Sequence, residues 1–98
     1  MARVQAFIEQ HLGEDISVAR MAREVARDAS GFSRGFTQAS GMTPYAYLTW
    51  RRMEAAKQML QAGQPVTGIA LAVGYANPGK FAAAFRRVVG QAPSAWRR

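Results

Sequence analysis

Apolar positions recur along this chain with a helical period. Val4, Phe7, Ile8, His11 and Leu12 follow at i, i+3, i+4, i+7 and i+8, which predicts an amphipathic helix over residues 2–12, ended by Gly13. Ser17 suits the cap of a short helix from Val18 to Val25 that buries Val18, Met21, Ala22 and Val25. A tight turn at Ala26–Arg27 follows, and Asp28 caps a third helix reaching about Ser40. In that helix Phe32 and Phe36 form the inner face with Ala29 and Ala39 beside them, and Ser30, Ser33, Arg34 and Thr37 lie opposite. Gly31 and Gly35 stand inside it, each at a cost of roughly 1 kcal/mol against alanine. Either the helix is intrinsically weak, or its outer face approaches something closely.

The longest unbroken pattern runs from Thr43 to Ala62. Thr43 caps it, Pro44 suits the first helical position, and Gly63 with Pro65 stops it. Tyr45, Leu48, Met53, Ala55, Ala56, Met59 and Leu60 span an arc of roughly 160°, against about 100° for a minimal stripe. So wide an arc suits a helix packed against two units. Arg52 falls inside it and must snorkel or pair with an acid, because an unpaired buried charge is costly. Trp50 falls on the polar side, as a partner contact or as a cover for the preceding loop. Beyond Pro65, VTGIALAV has the apolar run of a strand, but its length and its place in a repeat predict a short helix. Gly74 sits where a left-handed turn residue is wanted. Asn77 caps the next helix, Pro78 opens it, Phe81 and Phe85 face inward, and Arg86 and Arg87 follow. Gly90 breaks the chain before a last turn from Pro93 through Trp96 to Arg98.

These segments repeat. Asp28, Phe32, Phe36, Gly41, Pro44, Ala46 and Tyr47 recur as Asn77, Phe81, Phe85, Gly90, Pro93, Ala95 and Trp96, every pair 49 apart. Upstream, Val18, Met21, Ala22, Val25 and Ala26 recur as Val66, Ile69, Ala70, Val73 and Gly74, 48 apart. Two copies are too few for a solenoid and indicate two related units bridged by a helix. Short helix, tight turn, polar-faced helix is the grammar of a helix-turn-helix, with an ordinary helical hairpin as the plain alternative.

Charge sharpens the picture. Residues 1–49 hold five arginines against five acids. Residues 50–98 hold Arg51, Arg52, Lys57, Lys80, Arg86, Arg87, Arg97 and Arg98 against Glu54 alone, which is the whole net charge of +7. That asymmetry points to a polyanion. The basic residues are spread over several segments, unlike a membrane-surface helix, and no apolar run of about 18 residues is present. The chain has no cysteine, and His11 is its single histidine, a helix-end residue rather than a metal ligand. No cofactor or metal is expected. GYANPGKF, Gly74 to Phe81, nearly matches a phosphate-binding loop, but Phe81 stands where the magnesium-binding hydroxyl belongs. No nucleophile elbow, zinc-protease helix or flanking carboxylate pair appears, so an enzyme is not expected.

IALAVGY (Ile69 to Tyr75), FAAAFRRVVGQAPSAWR (Phe81 to Arg97), FSRGF (Phe32 to Phe36), GMTPYAYL (Gly41 to Leu48) and RRMEAAKQML (Arg51 to Leu60) together resemble the DNA-binding domain of AraC/XylS transcription regulators. The resemblance covers about Val4 to Arg97. It implies an all-α fold of about seven helices, with two helix-turn-helix units joined by a long linker helix. The expected segments are 1–42, 43–63 and 64–98, together one DNA-binding domain. Each unit's second helix would enter a major groove, and a 20-residue helix of about 30 Å matches one DNA turn of roughly 34 Å. Departures from the family pattern are Ala26, where a turn glycine is usual, and Arg27, where an apolar residue is usual.

The matching base-reading positions are Ser30, Ser33 and Arg34 in the first unit, and Pro78, Gly79, Ala82 and Ala83 beside Lys80 in the second. Arg34 would read a guanine, with Ser30 and Ser33 in support. Thr37, Gln38, Arg51, Arg86 and Arg87, with Lys80, would contact phosphates. The expected function is sequence-specific binding of double-stranded DNA by a cytoplasmic, nucleoid-associated regulator. RNA polymerase, and an effector or dimerisation domain ahead of residue 1, are further expected partners. No motif fixes the operator or the direction of regulation, and activation is the working expectation. A protein-binding adaptor using Trp50, or a nonspecific nucleic-acid binder, are the competing readings.

Overall fold

The structure, a computed structural model, describes residues 2–25 and 29–97, with the backbone alone at Ala2, Ala29 and Ser30. The expected turn at Ala26–Arg27 and the Asp28 cap lie outside the described residues, as do the side chains of Ala29 and Ser30. Among those residues the regular structure is helical: α1 (Ala2–Gln10), α2 (Val18–Glu24), α3 (Ala29–Ser40), α4 (Pro44–Gln61), α5 (Val66–Ala72), α6 (Pro78–Val89) and α7 (Pro93–Trp96).

The boundaries follow from local chemistry. Ser17 Oγ accepts from the Arg20 N–H at 3.0 Å, Thr43 Oγ1 from Ala46 at 3.1 Å and Asn77 Oδ1 from Lys80 at 2.9 Å, so these three expected caps each satisfy an otherwise orphaned amide. Gly63, two residues beyond the end of α4, has φ of 83°, and Gly41 and Gly90 turn the chain after α3 and α6 with φ of 78° and 91°. Gly74 has φ of 92°, the left-handed turn expected of it. There the Tyr75 N–H reaches back to the Ala70 carbonyl at 2.8 Å and closes the end of α5. Helix α1 stops two residues short of the expected 12, because the chain tightens at His11, whose N–H is shared by the Phe7 and Ile8 carbonyls.

The chain divides into two compact units, Met1–Thr49 and Trp50–Arg98, and the division falls inside α4. The first core gathers Val4, Phe7, Ile8, Ile16, Met21, Ala22, Phe32, Phe36, Tyr47 and Leu48. Its aromatic centre is Phe36, 5.8 Å from Phe32 and 5.5 Å from Tyr47 between centroids. The second core gathers Met53, Ala56, Leu60, Ile69, Ala70, Val73, Phe81, Ala84 and Phe85. Within α4, Tyr47 and Leu48 serve one core, and Met53, Ala56 and Leu60 serve the other.

The repeat is visible in the helices. Val18 and Val66, which open α2 and α5, lie 48 apart; Ala29 and Pro78, which open α3 and α6, lie 49 apart, as do Pro44 and Pro93. At the 48-residue offset Val4, Ile8 and Leu12 of the first copy match Arg52, Ala56 and Leu60. The far half of α4 therefore stands in the second unit where α1 and the turn after it stand in the first.

Two expected core positions are corrected. Tyr45 is 61% exposed, and Ala39 is exposed as well. Both lie on the apolar side by periodicity, but Tyr45 is in the first turn of α4 and Ala39 in the last turn of α3. A helical stripe is buried only where another element stands over it, and at these two ends none covers it.

Candidate nucleic-acid interface

In the first unit, α2 and α3 pack through Met21 and Ala22 against Phe32 and Phe36. With these phenylalanines inward, the opposite side of α3 is fixed by the 100° step between residues. Gly31, Arg34, Gly35, Thr37 and Gln38 are exposed there, and Ser33 is half-buried. Thr37 Oγ1 donates to the Ser33 carbonyl at 2.9 Å, so its proton is committed to its own helix while its lone pairs stay available. Ser30 belongs to the same helix, with its side chain outside the described residues. A Cβ built on Gly35 meets nothing within 4 Å, so nothing in the fold requires glycine there.

The first unit is neutral overall, and four of its five acids are placed away from this helix, the fifth, Asp28, lying outside the described residues. Glu9 is on α1, Glu14 and Asp15 are in the following loop, and Glu24 ends α2. Glu14 bridges His11 at 2.6 Å and Arg20 at 2.9 Å. The hydrogen bond from His11, then that from Arg20, hold its carboxyl below the usual carboxylate value. His11 also stacks on Phe7 at 4.4 Å, the helix-end role expected of it. Helix α3 itself carries Arg34 and no acid.

In the second unit the same construction recurs with different chemistry. Phe81, Ala84 and Phe85 of α6 are buried, and Gly79, Lys80, Ala83, Arg86 and Arg87 share its exposed side. Ala82 borders the core and is half-buried, so of the expected reading positions it is the most withdrawn. Asn77 spends its carbonyl on capping, and Pro78, exposed at the first helical position, has no N–H to offer. The three cations lie along one helix that holds no acid. Arg51 is placed apart from them, on α4, half-buried with its guanidinium 5.5 Å over the Trp50 ring. Trp50 is 39% exposed and thus only partly open to a partner.

One contact escaped the sequence pattern. Beyond the expectation that Arg52 snorkels or meets an acid, its guanidinium lies 5.9 Å over the Tyr75 ring, against the turn that leads into α6. The signal for it is the pairing of an arginine in an apolar stripe with the Gly74–Tyr75 turn. Among the described residues no group of three or more His, Cys, Asp or Glu side chains could hold a metal ion. None of the described helices is long and apolar enough to cross a membrane.

Comparison with known proteins agrees with the helix-turn-helix fold. The profile of a family described as helix-turn-helix domain matches residues 21–98. The chain is 34% identical over 95 residues to a protein of Photobacterium leiognathi described as a probable transcriptional regulator, LumQ, covering 96% of this chain and 38% of that protein. It is 30% identical over 99 residues to a protein of Streptomyces antibioticus described, likewise provisionally, as an AraC-like transcription regulator, covering 100% of this chain and 33% of that protein. The chain thus spans well under half the length of these relatives. Among solved structures it resembles the DNA-binding domain of the global transcriptional factor AdpA, in complex with a target DNA. There the TM-score is 0.90 at 28% identity, covering 98% of this chain and 87% of that one.

Proposed function

The chain belongs to the AraC-type helix-turn-helix family of transcription regulators, and on that premise we propose that it reads double-stranded DNA through α3 and α6. The observation that carries the reading is the exposed side of α6. Lys80, Arg86 and Arg87 are gathered there around the small residues Gly79 and Ala83. Small side chains let a helix backbone come close to a groove floor, and the flanking cations meet phosphates at its rim. Helix α3 supports it from the other unit, with exposed Arg34, Thr37 and Gln38 on an acid-free helix.

On this reading Ser30, Ser33, Arg34, Gly79, Lys80, Ala82 and Ala83 face base edges. Thr37, Gln38, Arg51, Arg86 and Arg87 hold the backbone. Residues 43–63 connect the two readers so that they address successive major grooves. The chain works in the cytoplasm, on the nucleoid, as part of a regulator that couples it to an effector or dimerisation domain and to RNA polymerase, with activation as the outcome.

Because both reading helices lie in one chain, the isolated chain is expected to bind as a monomer to an asymmetric site of about two helical turns. A mobility shift with genomic fragments and competitor DNA, followed by footprinting, tests this. A specific shift with one chain per site supports it. An inverted repeat filled by two chains overturns the monomer; a shift that competitor DNA abolishes leaves nonspecific binding; no shift at all favours the adaptor.

A further inference from the structure

Arg52 is 8% exposed, in a unit whose other core side chains are apolar. Its surroundings show what holds it. The guanidinium lies on the bare α-carbon of Gly74: a Cβ there would stand 2.8 Å from Arg52 Cζ and Nη2 and 3.1 Å from Nε. Its Cζ also lies 5.9 Å from the centroid of the Tyr75 ring. From Tyr75 the aromatic contacts continue to Phe81 at 5.9 Å, from Phe81 to Phe85 at 5.6 Å, and from Phe85 to Trp96 at 6.4 Å. Lys57 of α4 then lies 4.9 Å over the Trp96 ring. Two cations of one helix thus bracket a row of rings that runs through α6.

The first unit provides an internal comparison. At the 48-residue offset, Arg52 and Gly74 match Val4 and Ala26. The two positions change together. In the second copy a turn residue without a Cβ goes with a planar arginine at position 52; at the matching sequence positions the first copy has alanine and valine. A methyl at position 74 and the guanidinium at position 52 claim the same space, so the second copy needs glycine for the seat as well as for its φ of 92°.

We infer that Arg52 is a positioning residue. Its guanidinium, seated on Gly74 and Tyr75, fixes the direction in which α6 leaves its turn and so presents Lys80, Arg86 and Arg87. The DNA consequence rests on the function proposed above; the seat itself does not. Arginine suits the place because its flat, delocalised head fits against the bare α-carbon of Gly74 while its charge stays within reach of a ring. Lysine keeps the charge but not the plane.

The test uses the chain as it stands, with Arg52→Met, Arg52→Lys, Gly74→Ala, Arg52→Val and the double variant Arg52→Val with Gly74→Ala. Melting and amide exchange are measured without DNA, and affinity for cognate and scrambled DNA across a salt series with it. In Arg52→Met the amides at the start of α6 exchange faster while those of α3 do not change. Affinity for both DNAs falls by about tenfold, the salt slope drops by about one unit, and protection is lost over one half of the footprint. Arg52→Lys does not restore these values. The double variant melts higher than the sum of its single variants predicts, because valine frees the space the new methyl needs.

Additive melting shifts overturn the seat. So does faster exchange spread equally over α3 and α6, or a loss of affinity no greater than the loss of folded protein. If Arg52→Met does not fold, the same readings are made on Arg52→Lys. If the unaltered chain binds no DNA, the function proposal fails, and additivity and exchange still judge the seat.

Discussion

Gly35 separates what the fold needs from what a partner needs. It lies in the interior of α3, has ordinary helical backbone and has nothing within 4 Å of where a Cβ would stand. Gly35→Ala is therefore expected to stabilise the first unit by up to about 1 kcal/mol and to raise the melting temperature. If the glycine lets α3 approach DNA, the same variant binds its site more weakly although it is the more stable protein. Melting and affinity measured side by side decide this, and an affinity that rises with stability rules out close approach. Glu14 gives a second expectation at this scale. Held below its usual value by His11 and then Arg20, its carboxylate stabilises the folded state fully above the ordinary carboxylate range. That contribution is lost as pH falls through the lowered folded value. Glu14→Gln should therefore melt below the parent near neutral pH and together with it in strong acid. A gap that persists in acid would assign the effect to packing.

Asn77 sets the element-scale expectation, because its cap lies at the end of α6 that would face DNA. Asn77→Ala removes the acceptor for the Lys80 N–H and should cost about 1 kcal/mol. Asn77→Asp keeps the cap and adds a charge that the helix N-terminus favours, so its melting point should equal or exceed the parent's. The added anion nevertheless faces phosphate, and binding should weaken most at low salt. Equal affinity for Asn77→Asp and the parent would turn this end of α6 away from DNA. Caps and stops were the features most legible in the sequence: Ser17, Thr43 and Asn77 begin helices, and Gly63, Gly74 and Gly90 follow their ends, because each acts on its own few residues. The repeat was legible too, and it settled Val66–Ala72 as helix where its apolar run alone did not. Tyr45, Ala39 and Arg52 were not legible. Periodicity says which way a side chain points, whereas exposure and the Gly74 seat depend on which element stands opposite.

At the scale of the whole molecule the two units differ in charge and in reading chemistry, and the differences run in opposite directions. The first unit is neutral but carries Arg34 exposed on α3, with Ser30 and Ser33 on the same helix. The second holds the entire net charge, yet the exposed side of α6 between its cations is Gly79 and Ala83. Alanine can touch a thymine methyl but cannot select among bases by hydrogen bonding. The first unit is therefore expected to supply most of the direct readout, and the second mostly phosphate anchoring. Arg34→Ala should cost roughly 1–3 kcal/mol on the cognate site and little on scrambled DNA. Replacing Arg86 and Arg87 together should weaken binding to both and lower the salt slope by about 1–2 units. Affinities of each variant for both DNAs across a salt series separate these outcomes. If Arg34→Ala weakens both DNAs equally while the arginine pair proves selective, the assignment of the two units is reversed. Selectivity that survives both changes would move the readout to Lys80 or to the shape of the DNA itself.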